Sequence, residues 1–139
     1  MAVVTKTVAC TTRGDAECID ITAQVRLALE ESGLSDGIVT VFVPGATGAL
    51  STVEYESGLI SDMEELWDKL VPSGRSYHHD RAWGYGNGHS HLRATLLGPS
   101  LTVPFVAGSL TLGIWQQVIF IDFDVRPRKR ELVVQIMGE

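Results

Sequence analysis

The stretch QQVIFIDFDVRPRKRELVVQIMG, residues 116–138, decides the fold of this chain. It contains two runs of β-branched and aromatic residues, and such runs are typical of strands. The segment VRPRKR between them suits a hairpin connection, so the sequence predicts that the chain ends in an antiparallel pair of strands. The first of these runs reaches back to Ser109, and a further strand is predicted upstream in SLTVPFVAG, residues 100–108.

Two aspartates interrupt the apolar character of the first run. Asp122 and Asp124 are two positions apart, so they lie on the same face of a strand. The structural interpretation is a pair of solvated carboxylates on the polar face of an antiparallel strand. The functional interpretation is a pair that orients imidazole rings or holds a hard cation such as Mg²⁺.

The connection between the two runs carries the one concentrated positive patch of the sequence: Arg126, Arg128, Lys129 and Arg130. Guanidinium groups bind phosphate or carboxylate oxygens in a bidentate geometry. The patch is therefore interpreted in two ways. It binds an anionic, phosphorylated substrate, or it is a solvated hairpin whose charges pair with acidic residues of a neighbouring subunit.

The N-terminal third is predicted to fold as strand, helix, strand. Residues 2–9 and 38–43 are rich in β-branched residues and are bounded by turn formers. Between them, ITAQVRLALEESG predicts a helix with Thr22 as its N-cap and Gly33 as its stop. The apolar positions at helical spacing are Val25, Ala28 and Leu29.

A second helix is predicted to begin at Ser61, which forms a capping box with Glu64, and to end before Pro72. Its apolar face comprises Met63, Leu66, Trp67 and Leu70. We interpret the aromatic residue on this face as core. Helices that interrupt a strand-rich chain predict an α+β fold. We expect a single compact domain over residues 1–139, with a mainly antiparallel or mixed sheet flanked by two or three helices.

The composition argues against several classes of protein. A length of 139 residues, with 45% apolar and 20% charged residues, fits one soluble globular domain. The formal charge of −6 argues against a general nucleic-acid-binding role. The sequence contains neither a basic and apolar leader nor an apolar run of membrane-spanning length. We therefore expect a cytoplasmic protein with no nucleic-acid and no membrane partner.

The two cysteines, Cys10 and Cys18, are eight positions apart and match no metal-binding spacing. We expect free, buried thiols, because a free cysteine behaves as a small apolar residue. The alternative is a disulfide across a hairpin.

All four histidines lie in the segment YHHDRAWGYGNGHSHLRA, residues 77–94. Neutral imidazole carries a lone pair, which makes such a cluster a candidate site for Zn²⁺ or another borderline metal. A structural zinc site normally has four Cys or His ligands at characteristic spacings, so the pattern favours an open site completed by water or substrate. The alternative is a set of surface histidines without a ligand.

Two conformations fit the segment that contains His89 and His91. In a strand, both rings would point to one face and form a bidentate clamp. In a short helix that begins after Asn87 and ends at Gly98, only one of them would face a given ion. We favour the helix, because Asn87 is a good N-cap and Leu92 and Leu96 lie on one side of it. Its N-terminal N–H groups, with Gly86 and Gly88 allowing close approach, would then suit a phosphate.

Several motifs are characteristic when they are taken together. They are YHH, the pair Asn87 and His91 followed by LRATLLG, SLTVPFVAGSLTLG-x-WQQV, and DFDVRPRKR followed by VVQI-x-GE. With these motifs the chain resembles the YjbQ-like proteins, a family associated with secondary thiamine-phosphate synthase activity. The resemblance covers essentially the whole chain and is most specific in residues 87–138.

The resemblance implies a compact α+β domain that assembles as a homotrimer, with a site near the subunit boundaries. Together with the residue chemistry it gives candidate site residues of three kinds. Candidate catalytic residues are His79, His91 and Glu54; candidate substrate-binding residues are Asn87, Gln116, Arg128 and Arg130; candidate metal ligands are His79, His89 and His91. His78 and His89 match the family less generally, and Trp115 is either a site residue or core. For Glu54, spacing alone does not separate a general base from a solvated strand residue.

The chain departs from the family pattern in three places. Many members have a histidine in a P-H-T-T-A segment where this chain has PGATGA, residues 44–49. They also have an asparagine at the position of Val53 and a threonine at that of Ile114. The missing histidine removes a potential ligand or proton donor, and His89 is a candidate to compensate for it.

The implied reaction joins a pyrimidine pyrophosphate and a thiazole phosphate with loss of pyrophosphate. The implied partner is a small phosphorylated metabolite, and the expected cofactor is a divalent ion, Zn²⁺ or alternatively Mg²⁺. Such a reaction would make the chain a transferase, and two alternatives stay open. One alternative is a metal-dependent hydrolase of a small phosphorylated or acyl compound. Another is a non-catalytic trimeric protein that binds a metal or a metabolite.

Overall fold

A computed structural model describes residues 1–84 and 86–139 of the chain. The strands are β1 (Ala2–Thr12), β2 (Glu17–Asp20), β3 (Gly37–Phe42), β4 (Gly48–Val53), β5 (Ser100–Val106), β6 (Ser109–Leu110), β7 (Gln117–Asp122) and β8 (Arg128–Gly138). The helices are α1 (Thr22–Ser32), α2 (Ser57–Leu70), α3 (His78–Trp83) and α4 (Gly88–Leu97). The predicted α+β class is confirmed, with four helices in the described residues instead of two or three.

The strands form two antiparallel sheets. The larger sheet has the order β1-β8-β3-β5-β6, and the smaller one has the order β2-β7-β4. Strand β8 pairs along its whole length with β1, from Arg128 opposite Thr12 to Gly138 opposite Ala2. Its alternating burial pattern is that of a strand with one face on the core and the other uncovered.

The smaller sheet is covered on both faces. Along β7, Val118 and Phe120 pack into the core between the two sheets, where α1 also contributes its apolar face. Ile119 and Ile121 face the opposite way, into a second core under α2 and α4. All four side chains are fully buried, which explains why this strand has an uninterrupted apolar sequence. The fold therefore has three layers, with the smaller sheet in the middle.

The prediction that the chain ends in a hairpin is wrong. Strand β7 pairs with β2 and β4, whereas β8 pairs with β1 and β3. Residues 123–127 therefore cross from one sheet to the other. The long strand run predicted from Ser109 is also interrupted, because residues 111–116 leave the sheet between β6 and β7.

The helix predictions were correct in type and less accurate at the N-termini. In α1, Val25, Ala28 and Leu29 are buried as predicted, and Gly33 ends the helix in the left-handed conformation, with φ of 70°. The N-cap is Ile21, one residue before the predicted one. Thr22 is instead the first helical residue, and its hydroxyl accepts a hydrogen bond from the Val118 N–H (2.9 Å).

Helix α2 begins at Ser57, earlier than the capping box at Ser61 and Glu64 predicts. The side chain of Glu56 accepts hydrogen bonds from the Gly58 and Leu59 N–H groups, so it caps the helix in place of Ser61. Trp67 is buried as predicted and packs edge-on against Phe123, with the ring centroids 5.3 Å apart.

Both cysteines are free thiols, as predicted, and both are half-buried. Burial, together with the charges of Asp20 and Glu64, raises the pKa of Cys18 to about 12. None of the helices in the described residues has the length and apolar character needed to cross a bilayer.

Candidate functional site

A pocket of about 280 Å³ lies where the crossover after β7 meets the loop after β3 and the start of α4. Its wall contains most of the polar residues that the sequence singled out on these segments. The lining residues are Gly45, Ala46, Thr47, Asn87, His91, Asp124, Val125, Arg126, Arg128 and Arg130.

Asp122 connects the strands that lie next to this pocket. Its carboxylate is fully buried and accepts hydrogen bonds from Arg130 Nε (2.9 Å) and Nη2 (2.8 Å). The Thr12 hydroxyl (2.6 Å) and the Asp124 N–H (3.0 Å) donate to it as well. Because Asp122 lies on β7, Arg130 on β8 and Thr12 on β1, this one carboxylate links the two sheets.

Asp124 forms the second half of the buried network. It accepts hydrogen bonds from the Val125 N–H (2.8 Å), from the Thr47 hydroxyl (3.3 Å) and from Arg128 Nη1 (2.5 Å). Thr47 also accepts a hydrogen bond from Arg130 Nη2 (2.8 Å), so it bridges the two ion pairs. Of the two interpretations of Asp122 and Asp124, the solvated pair is wrong, since both carboxylates are buried against arginine.

The hydrogen bonds decide the charge state of these groups. Burial acts to raise the pKa of Asp122, but the bonds from Arg130, Thr12 and the backbone outweigh it and lower the pKa below its ordinary value. Burial also acts to raise the pKa of Asp124, but the hydrogen bond from the Val125 N–H and the charge of Arg128 outweigh it and lower the pKa below its ordinary value. The hydrogen bond to Asp122 raises the pKa of Arg130. Both carboxylates are therefore ionised, and their oxygens are occupied by donors from this chain rather than available to a hard cation.

Helices α3 and α4 bring two of the four histidines together. The rings of His79 and His91 lie with their centroids 4.5 Å apart. The helices approach closely at Gly88, where a Cβ atom would lie 2.6 Å from Tyr77 Cβ. Asp80 accepts hydrogen bonds from the Tyr77 N–H (3.0 Å) and the Gly88 N–H (2.8 Å), which ties the two helices to each other.

The predicted helix over the HSHLRATLLG segment is confirmed, with Asn87 in the N-cap position. As expected for a helix, His89 and His91 point in different directions. His89 is buried and lies near the charges of Arg93, Asp80 and Asp15, whereas His91 faces His79. Because Asp80 already accepts from the Gly88 N–H, the start of α4 carries a carboxylate where the sequence suggested a phosphate.

Burial and the neighbouring His79 lower the pKa of His91, and the nearby Asp124 acts in the opposite direction. Burial and Arg93 lower the pKa of His89. At neutral pH both rings are therefore uncharged. An uncharged His91 in the pocket wall is able to accept a proton or to bind a metal ion through a lone pair.

The geometry limits the metal hypothesis. Over residues 1–84 and 86–139, no group of three His, Cys, Asp or Glu side chains converges as a metal site. His79 and His91 supply two nitrogen donors of the type that Zn²⁺ prefers, but the structure does not bring His89 to them. The described residues of one chain therefore do not form a complete protein cage, and further ligands would have to come from elsewhere.

Asn87 lines the pocket but does not cap α4 with its side chain. Its amide lies beside Asp124 and contributes to the lowered pKa of that carboxyl. Its Oδ1 atom is buried and has no hydrogen-bond partner among the described residues. A ligand that carries an N–H or O–H group would satisfy this oxygen.

Three residues predicted for the site lie elsewhere. Glu54, Trp115 and Gln116 line a separate, more apolar pocket with Ile114. Gln116 Nε2 donates to the Thr52 hydroxyl (2.9 Å), and Trp115 is 68% exposed, so it is not core in this chain. Within one chain, this group is therefore separate from the arginine and histidine pocket.

Thr47 and Thr12 are site residues that sequence reasoning missed. Thr47 entered the sequence analysis only as part of the PGATGA segment, and Thr12 lies beyond the strand predicted over residues 2–9. The i, i+2 spacing of Asp122 with Asp124 and of Arg128 with Arg130 indicates the two ion pairs, because it places matching charges on the same side of two extended segments. This spacing does not point to the two threonines.

Fold and pocket together define a class of protein: a small α+β domain with two antiparallel sheets and an arginine- and histidine-lined pocket where they meet. The model of the family described as UPF0047 protein YjbQ-like matches residues 6–139. The chain belongs to this YjbQ-like family.

Curated relatives and solved structures agree with this membership. A UPF0047 protein of Archaeoglobus fulgidus is 46% identical over 121 residues, covering 87% of this chain and 91% of the relative. One from Methanothermobacter thermautotrophicus is 42% identical and covers 100% of this chain and 95% of the relative. The crystal structure of a YbjQ-like protein from Sulfolobus solfataricus superposes with a TM-score of 0.89 at 31% identity, covering 99% of this chain and 100% of that one.

The buried Asp122 leads to a stability prediction. We expect Asp122→Asn to lower the free energy of unfolding by about 3–5 kcal/mol, because Arg130 would remain buried without its charge partner. The pKa of Asp122 in the folded protein lies below its ordinary 3.8, so its stabilising effect is present above that pH and is lost as the pH falls through the lower value. The difference between the two proteins should therefore shrink below pH 3.8. Urea denaturation at a series of pH values measures both effects.

Asp62→Asn on the exposed surface of α2 is the matched control and should change the free energy of unfolding by less than about 0.5 kcal/mol. A loss that is equally small in Asp122→Asn would show that the network does not stabilise the fold.

Proposed function

We propose that the pocket binds the phosphate groups of a small metabolite and acts on it. The observation that carries the proposal is the pair of guanidinium groups, Arg128 and Arg130, held on buried carboxylates in the pocket wall. With Arg126, three arginines stand against two aspartates, which leaves an excess of one positive charge at this place in a chain of net charge −6. A local positive site in an acidic protein favours an anionic ligand.

The reaction that we propose is the one implied by the family resemblance, formation of thiamine phosphate. The bond between the methylene carbon of the pyrimidine substrate and its pyrophosphate oxygen breaks, and the electron pair goes to that oxygen. The thiazole nitrogen forms the new bond to the carbon. Negative charge therefore develops on the departing pyrophosphate, and guanidinium groups that are already in place would stabilise it.

The shape of the site supports a reaction of two substrates. A second pocket of about 290 Å³ adjoins the first and shares Gly45, Ala46 and His91 with it. Two adjoining cavities of this size would hold two small reactants side by side, and such positioning provides much of the rate gain in a bimolecular reaction. His91 lies at their junction and is uncharged at neutral pH, so it would accept a hydrogen bond or a proton there.

Asn87 Oδ1 favours a ligand that carries a hydrogen-bond donor. The atom is buried, faces no donor in the described part of the chain and belongs to a residue of the pocket wall. A substrate with an amino group, such as an aminopyrimidine, would supply that donor. A ligand without a donor would leave the oxygen unsatisfied, which costs about 1–3 kcal/mol.

A second candidate is metal-assisted hydrolysis of a small phosphorylated or acyl compound. The observation in its favour is the close pair of rings at His79 and His91, with the pKa of His91 lowered. The two imidazoles would hold a divalent ion, which would supply an activated water molecule. Binding of such a ligand without turnover is the remaining alternative.

Substitution of Arg128 tests the proposal. We expect Arg128→Ala to weaken the binding of pyrophosphate by about tenfold or more, because one charge-assisted contact is lost. Formation of thiamine phosphate from the two substrates should fall at least as much. Titration calorimetry measures the first effect and mass spectrometry of the product the second.

Arg26→Ala is the matched control, because Arg26 is an exposed residue of α1 that lines a different pocket. Equal affinity of wild type, Arg128→Ala and Arg26→Ala for pyrophosphate would refute the anion site. Binding that depends on Arg128 with no product in any protein would leave the hydrolase or the binding protein.

Metal analysis tests the histidine pair. If a divalent ion is part of the site, wild-type protein dialysed against a weak chelator should retain about one ion per chain, and His79→Ala and His91→Ala should lose it. His78→Ala is the control, since His78 is exposed on α3 and its ring contacts Arg81. Elemental mass spectrometry gives the count. Metal-free wild type with unchanged pyrophosphate binding would exclude the ion from ligand recognition.

We further propose that the protein acts as a homotrimer. Its support in this chain is the set of exposed leucines Leu66 and Leu70 on α2 and Leu92 and Leu96 on α4, each 45% exposed or more. Apolar side chains at helical spacing on a surface are suited to contact with another subunit. Light scattering during size-exclusion chromatography should give three times the mass of 15.1 kDa, and a mass of one chain would contradict the proposal.

A further inference from the structure

Gly45 lies against the one guanidinium nitrogen of Arg130 that the buried network does not use. The Nε and Nη2 atoms donate to Asp122 and Thr47. The Nη1 atom has no hydrogen-bond partner in the described residues. A Cβ atom built on Gly45 would lie 2.9 Å from it. Both residues line the pocket, so this nitrogen reaches the cavity across the glycine.

Arg130 is unable to move away from a side chain at position 45. The end of a long side chain usually gives way at small cost, but here two of its three nitrogens are held by Asp122 and Thr47. The backbone of Gly45 is held as well, because its N–H donates to the Val43 carbonyl (3.0 Å). A methyl group at position 45 would therefore cover Nη1 or force apart a buried ion pair.

The backbone conformation does not require glycine at this position. The φ angle of Gly45 lies outside the left-handed region, in contrast to Gly14, Gly33 and other glycines of the chain. An L residue is therefore compatible with the backbone of the loop. The missing side chain leaves space beside Arg130 and is not needed for the backbone conformation.

We infer that Gly45 is a specificity-determining residue: it leaves Nη1 of Arg130 accessible, and this nitrogen binds a terminal phosphate oxygen of the ligand. The inference rests on the proposed anion-binding function and adds to it which nitrogen receives the ligand and what keeps it accessible. Asp122 is a positioning residue in this arrangement, since it orients the guanidinium without reaching the ligand. Arg128, which is paired with Asp124 at the other side of the pocket, contacts a second oxygen of the same ligand.

The test is titration calorimetry of the full chain with pyrophosphate. We expect Gly45→Ala to weaken binding by about tenfold or more, because the added methyl removes one charge-assisted hydrogen bond. Gly74→Ala is the matched control, because Gly74 is also exposed, is not in the left-handed region and would place its Cβ atom more than 4 Å from any other heavy atom. Its affinity should stay within about twofold of wild type.

A measurement on the unaltered protein makes the test independent of folding. In protein labelled with ¹⁵N-arginine, the Arg130 side-chain signal is assigned by its loss in Arg130→Lys. Saturation with pyrophosphate should shift this signal. An unshifted signal at saturation would overturn the inference whatever the variants do.

The remaining outcomes separate this inference from the function that underlies it. If Gly45→Ala binds pyrophosphate like wild type while Arg128→Ala binds it weakly, the anion site is supported and the binding of a phosphate oxygen by Nη1 of Arg130 is refuted. If wild type does not bind pyrophosphate at all, the proposed function fails and the inference fails with it.

Discussion

The ion pair between Asp122 and Arg130 is the constraint on which the rest of the molecule depends. It connects the middle layer of the fold to the larger sheet, and both partners are nearly inaccessible to water. Buried charges are tolerated when they are paired and when their remaining donors and acceptors are satisfied. Here all four contacts to the carboxylate are made by the chain itself. The sheets therefore fix the position of an arginine that faces a cavity.

The same constraint explains why the two C-terminal strands do not form a hairpin. A hairpin would pair β7 with β8 edge to edge and leave both in one sheet. Instead β7 is buried on two faces by apolar side chains, and its last residue reaches β8 through a side chain, not through the backbone. The crossover of residues 123–127 then passes over the pocket and contributes Asp124, Val125 and Arg126 to its wall.

Local patterns in the sequence predicted most of the secondary structure and only part of the site. Val25, Ala28 and Leu29 follow helical periodicity, and Gly33 has the stop conformation, because these depend on residues close in the chain. The burial of Asp122 was not predictable in this way. An alternating strand with a polar face and a strand whose aspartate pairs across two sheets have the same local sequence, and only the partner, eight residues away, distinguishes them.

The histidine cluster shows the same limit at the site. Sequence proximity suggested three ligands, and the periodicity of α4 separates His89 from His91 because residues two apart in a helix point in different directions. The contact between His79 and His91 depends instead on the packing of α3 against α4 around Gly88.

Family motifs identified Asn87, His91, Arg128 and Arg130, which do share one pocket. Gln116 belongs to the same motifs but lies at another pocket, so motif membership did not establish proximity.

A site of this design holds its charges in place before a ligand arrives. A free arginine loses roughly 2 kcal/mol of side-chain entropy when it is immobilised by a ligand. Arg130 has already lost it during folding, because Asp122 and Thr47 fix two of its nitrogens, and Arg128 is restrained by Asp124. The carboxylates also reduce the net positive charge, so the pocket would favour a ligand that matches its geometry over any polyanion. If the proposed anion site is correct, stability and recognition would therefore depend on the same buried carboxylates.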